Sequence, residues 1–128
     1  MNSPADDIKD ILEAAVSSWS FGTNLFVALE PPSPNEVVSV FDTGGFDPDS
    51  NTDLENPTVM VRVRGDRGGY TETYSRARDV KDNLHELANE TWNGTRYIGI
   101  WQVGDILFIG MDENDRPVFT LNFRIMRT

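Results

Sequence analysis

Cysteine is absent from the 128 residues, which removes disulfide frameworks, thiolate metal sites and cysteine nucleophiles together and is compatible with a reducing compartment. Histidine occurs once, at His85 beside Glu86, so a zinc site built on imidazoles and a Ser-His-Asp triad both lack support, and His85 reads as a solvated helix residue. Basic residues are scarce, 11 against 21 acidic, for a formal net charge of −10; phosphate-backbone binding would work against that field, and no direct nucleic-acid contact is expected. No apolar run approaches the roughly 18 residues of a membrane span, and the acidic opening MNSPADDIKD is unlike the basic-then-apolar start of a signal peptide. Neither membrane insertion nor secretion is expected, and a cytoplasmic origin fits. The glycines at Gly65, Gly68 and Gly69 come without Gly-Lys-Ser/Thr or a dinucleotide spacing, so they read as helix-entry turns and no cofactor is expected.

What is present is enough apolar sequence for one domain spanning residues 1–128, long enough to bury about two-thirds of the surface its unfolded chain exposes. Ser3-Pro4-Ala5-Asp6 is a helix start, with serine as cap, proline in the first turn and acids near the positive end of the dipole. Ile8, Ile11, Leu12, Ala15, Val16 and Trp19 follow at helical spacing, which predicts a helix over residues 4–19. Short strands are expected at Asn24–Leu29 and Glu36–Phe41, separated by a stiff connection containing Pro31, Pro32 and Pro34. Residues 43–57 have the composition of a long acidic loop. Val59, Val61 and Val63 alternate with Met60, Arg62 and Arg64, predicting a third strand with valines inward and the arginines on the other face.

Tyr70, Tyr74, Ala77, Val80, Leu84, Leu87 and Ala88 predict a second amphipathic helix ending near Asn89. The tripeptides starting at Asn89 and Asn93 fit a glycosylation pattern, but without a secretory route they read as helix-end and loop residues. Three strands, at Tyr97–Val103, Ile106–Met111 and Val118–Met126, are expected as a meander turning at Gly104-Asp105 and at residues 112–115. Ile106-Leu107-Phe108-Ile109, apolar on both faces, is placed in the sheet interior. The order α-β-β-β-α-β-β-β predicts an α+β domain with two amphipathic helices on an antiparallel or mixed sheet.

Asp42-Thr43-Gly44-Gly45 invites comparison with the nucleophile turn of small dimeric aspartic proteases. Those enzymes place Ala or Ser in the fourth position and a helix after their later apolar-Gly run. Here Gly45 takes that position and another strand follows Gly110, so Asp42, Thr43, Gly44 and Gly45 read as a structural turn with no catalytic residue. Asp47, Asp49, Asn51 and Asp53 have the oxygen spacing that opens a calcium loop. Thr52 stands where glycine is needed and Thr58 where the bidentate acid belongs, so no metal site is expected.

The segments from Phe21 to Asp49, from Asn56 to Gly65 and from Tyr97 to Ile125 resemble the minor capsid or tail terminator proteins of long-tailed bacteriophages. The most specific parts are Val40 to Gly45, Pro57 to Gly65 and Asn122-Phe123-Arg124. The resemblance implies a virion structural subunit that forms a sixfold ring, caps the head-proximal end of the tail tube, stops its polymerisation and offers a docking surface to the head. The implied partners are further copies of the chain, the tail tube protein and a neck or connector protein. Another neck or head-completion component is the nearest alternative, and a small dimeric protease the more distant one. On charge grounds Arg62 and Arg64 are expected to meet acids of a neighbouring subunit, with Asp47, Asp49, Asp53 and Glu55 of the acidic loop as further assembly contacts.

Overall fold

The computed structural model describes all 128 residues. Its first element, α1, spans Pro4–Ala15. Ser3 caps it, its Oγ accepting the N–H of Asp6 at 3.2 Å, with Pro4 in the first turn. The helix stops short of residue 19 because Val16 is already extended. Trp19 still reaches the core, at the end of a turn that follows the helix.

Six strands follow: β1 (Leu25–Val27), β2 (Val37–Phe46), β3 (Asn56–Arg64), β4 (Leu87–Trp92), β5 (Thr95–Met111) and β6 (Pro117–Arg127), with α2 (Tyr70–Leu84) between β3 and β4. They form one sheet in the order β1-β2-β3-β6-β5-β4. The β1-β2 pair is parallel and every other pair antiparallel, so the sheet is mixed. Both helices pack on one face of it and on each other. Val59, Val61 and Val63 of β3 and Phe119, Leu121, Phe123 and Ile125 of β6 alternate toward that face and meet Ile8 and Leu12 of α1 and Ala77, Val80 and Leu84 of α2 in one core cluster.

The α-β-β-β-α-β-β-β order of the expected α+β fold is the observed one, although two of its members are different segments. α2 ends at Leu84, with His85 already extended and Glu86 at φ 65°, so Leu87 and Ala88 belong to β4 and not to a helical stripe. Conversely, the two strands expected on either side of Gly104-Asp105 are one strand, β5. The glycine has φ 74°, which serves a bulge as well as a hairpin, and here the register slips between Val103 and Leu107 while β5 continues along β6.

The acidic loop is also shorter than residues 43–57. β2 runs on through Thr43, Gly44 and Gly45 to Phe46, and β3 begins at Asn56, leaving residues 47–55 between them. Asp42 to Gly45 is therefore an irregularity inside a strand rather than a strand exit: the register shifts between Asp42 and Gly45. Gly45 sits at φ 146°, and a Cβ there would lie 2.4 Å from the carbonyl oxygen of Asn56, so this crossing of two backbones admits no side chain.

Candidate assembly surface

The sheet face opposite the helices divides into a covered and an open half. The connection from Ala28 to Glu36 folds over the first half, and three arginines hold it there. Arg64 donates through Nη2 to the carbonyls of Pro31 and Pro34 at 2.6 and 2.8 Å and through Nε to that of Asn35 at 3.0 Å. Arg116 donates to the carbonyl of Pro32 at 2.6 Å, and Arg62 pairs with Glu30 at 2.8 Å. Prolines leave carbonyls without matching N–H groups, and the guanidinium forks supply the missing donors. Burial and the neighbouring Arg116 charge push the Arg64 guanidinium below its ordinary value.

Arg62 and Arg64 are on the predicted face; Arg64 is only 2 % exposed, and both are engaged by their own chain's 30–35 segment. Glu55 is likewise engaged internally, by Arg127 at 3.0 Å. Asp47, Asp49 and Asp53 remain exposed and take part in no ion pair. Asp49 only accepts the N–H of Asn51, at 2.9 Å. No group of three or more His, Asp or Glu side chains is arranged to hold a metal ion.

Asp42 faces the N-terminus of α1, where its Oδ1 accepts the N–H of Ala5 at 2.9 Å. It lines a shallow hollow of about 330 Å³ with Pro4, Glu55 and Arg127. Thr43 bonds Thr58 across the β2-β3 pair at 2.8 Å. These contacts hold local backbone and neighbouring strands together.

Close by, one buried polar cluster ties the chain's ends. Asp7, fully buried, accepts from the Tyr97 hydroxyl and from Asn93 at 2.7 Å, while Arg127 donates to the Asn2 carbonyl at 3.1 Å and lies 3.9 Å from Asp7. Burial, reinforced by the Asp7 contact, pushes the Tyr97 phenol well above its ordinary value. Asp7 did not stand out in the sequence, since an Asp in the first turn of a helix reads as a dipole partner. The Asn93-Gly94 pair that delivers Asn93 did carry a signal. It is the two-residue turn of the β4-β5 hairpin, both residues at positive φ, and Asn-Gly is the strongest short hairpin motif.

The open half of the face is where apolar surface is exposed. Ile106 to Ile109 was expected in the sheet interior, but β4 pairs with β5 only as far as Ile100, leaving the rest of β5 as a sheet edge. His85 accepts the N–H of Gln102 at 2.9 Å, so it meets the first donor past that boundary; the imidazole is thus a structural acceptor rather than a solvated side chain. Beyond it Val103, Leu107, Ile109 and Met111 are each about half exposed. Phe108 turns to the helix side, where it packs edge-on to Tyr70 at 5.1 Å between ring centres.

The structure is thus that of a two-helix α+β domain with exposed apolar side chains along the free edge of its sheet. A family model described as "Bacteriophage tail terminator protein" matches residues 5–128, and the chain belongs to that family. Among solved structures, a chain in the virion of a native gene transfer agent particle is similar, with a TM-score of 0.73 and 20% identity over 98% of this chain and 94% of that one; the likeness shows a shared fold. No curated protein matches the sequence.

Proposed function

We propose that the chain assembles into a closed sixfold ring at the head-proximal end of a phage tail tube, ends tube growth there and presents a docking surface to the neck of the filled head. Family membership supports the terminator role, and the observation that carries assembly is the exposed apolar end of β5 from Val103 to Met111, unpaired along its outer edge. A tube of stacked rings grows through an axial head-to-tail contact and stops only when a subunit matches the growing end without offering an equivalent new one. A ring whose lateral contacts are all equivalent, with one face complementary to the tube and the other to the neck, is such a stop. It requires no chemistry, and the protein works in the virion after assembly in the host cytoplasm.

Copies carrying −10 each repel one another, so the isolated ring gains strength as salt screens the charge. Light scattering in dilute low-salt buffer is expected to report the 14.4 kDa chain, with hexamers at high concentration or added salt. Tail tube protein polymerised with the chain should give tubes of limited length bearing a ring at one end. Monomers under all conditions, together with unaltered tube lengths, would show that the ring and the stop are wrong.

A further inference from the structure

The open sheet face carries a cation that the chain leaves without an acid, and the 47–55 loop carries acids that it leaves without a cation. Arg62 and Arg64 on the same face are paired with Glu30. Arg124 is exposed and has instead the ring of Trp101, its cross-strand partner, at 5.1 Å. That ring is held in place from below. A Cβ on Gly99 would come within 2.3 Å of it, so the indole lies across a position that only glycine leaves free, with Arg124 against it. Val103 and Leu107 follow Trp101 along β5 on the same face, opposite Asn122 and Thr120, and are 52% and 57% exposed. A stacked Trp-Arg pair beside exposed aliphatic side chains has the composition of an interface centre.

At the other side of the sheet, β2 ends in Phe46, 63% exposed, immediately before Asp47, Asp49 and Asp53. The two surfaces are complementary: an apolar anchor followed by unpaired carboxylates on one, aliphatic side chains beside an unpaired guanidinium on the other. Within one subunit Phe46 cannot reach Val103 or Leu107, because β3 and β6 lie between β2 and β5 in the sheet order, and Arg124, although on the strand next to β3, pairs with none of the loop acids. A contact between unlike surfaces of identical chains is heterologous, the kind that closes into a ring.

We infer that the Phe46-to-Asp53 segment of one copy docks on the open sheet face of the next, with Phe46 against Leu107 and Val103 and the loop carboxylates on Arg124. The inference rests on the ring proposed above and names its lateral contact. The same loop acids thus keep an assembly role, directed at Arg124 and not at Arg62 or Arg64.

The test is a charge exchange in the full chain under the salt conditions that give hexamers. Arg124→Glu alone and Asp49→Lys with Asp53→Lys alone are each expected to weaken association at least tenfold in sedimentation, with unchanged melting temperature since all three residues are exposed. Combining all three substitutions should recover association to within about threefold of the parent. Because the chain has no cysteine, a mixture of Phe46→Cys and Leu107→Cys proteins should form a disulfide-linked heterodimer under mild oxidation, in excess over either protein alone. Rings that tolerate Arg124→Glu, or a triple variant no better than its parents, would overturn this contact while leaving the ring standing. Failure of the unaltered chain to associate, even at tube ends, would overturn both.

Discussion

Asp42 Oδ1 accepts the backbone N–H of Ala5 at 2.9 Å, joining residues 37 apart in the chain. The N–H groups of a helix's first turn have no partner within the helix, and a carboxylate there also meets the positive end of the dipole. Ser3 satisfies one of those donors from within the same segment and Asp42 satisfies another from β2. The Asp-Thr-Gly-Gly sequence therefore serves to seat α1 on the sheet: the aspartate bonds the helix, and Gly45 lets β2 pass close to Asn56.

Replacing Asp42 with Ala should cost about 1 kcal/mol of stability, the usual worth of a capping acceptor, and Asp42→Asn, which keeps an oxygen but loses the charge, should cost less. Urea denaturation of the two variants against the parent measures both. A loss of several kcal/mol would mean that Asp42 carries more than α1.

The buried cluster around Asp7 should be far less tolerant. Removing that carboxylate by Asp7→Ala leaves the buried Tyr97 hydroxyl without its acceptor and takes away the charge that lies 3.9 Å from Arg127, and about 3–5 kcal/mol is expected. Tyr97→Phe removes one donor and keeps the ring's packing, so about 1–3 kcal/mol is expected. Thermal melts of both, with Asn93→Ala as the milder control, would show the order.

The clasp on the proline-rich connection gives a third expectation. Arg64→Lys keeps the charge but cannot reach three carbonyls in a plane, so residues 28–36 should become a site of rapid proteolysis while the core stays folded. Arg62→Ala breaks an ion pair that is partly exposed and should cost no more than about 1 kcal/mol. Equal proteolysis of Arg64→Lys and parent would show that the connection holds itself down.

The sequence was most legible where a periodic pattern met a covered surface. The Val59-Val61-Val63 alternation and the Ile8, Ile11 and Leu12 stripe specify core faces directly, because burial on one side is what produces the pattern. It misled where one local signal serves two structures. Gly104-Asp105 fits a turn and a bulge equally, and only the continued pairing of β5 with β6 decides between them. Leu87 and Ala88 fall in phase with α2, yet Glu86 at φ 65° takes the chain out of the helix first. The apolar run at Ile106 to Ile109 reads as interior by hydropathy alone, and its exposure depends on where β4 ends, which is a long-range fact. For Arg62 and Arg64 the face was legible; their partners, carbonyls and a carboxylate from a connection some 30 residues away, were not.

The β5-β6 turn carries a pH dependence. Asp112 accepts the N–H groups of Asn114 and Arg116, both at 2.9 Å, and the Arg116 Nε at 2.8 Å. Partial burial by itself raises its carboxyl, but Arg116 through its N–H and guanidinium, with help from the Asn114 N–H, outweighs that and holds it below the ordinary value of 3.8. A carboxyl depressed in the folded state binds its proton more weakly there than in the unfolded chain. Its contribution is therefore complete above the unfolded value and is lost as pH falls from about 3.8 through the lower folded value. Asp112→Ala should cost about 1 kcal/mol at pH 7, where the carboxylate accepts all three bonds, and the gap between variant and parent should narrow steadily below pH 4. Urea midpoints of the two proteins compared at pH 7, 4 and 3 give the measurement. A gap that persists undiminished at pH 3 would show that the turn is held by its backbone geometry, with Asp115 at φ 59°, and not by the ionised carboxylate.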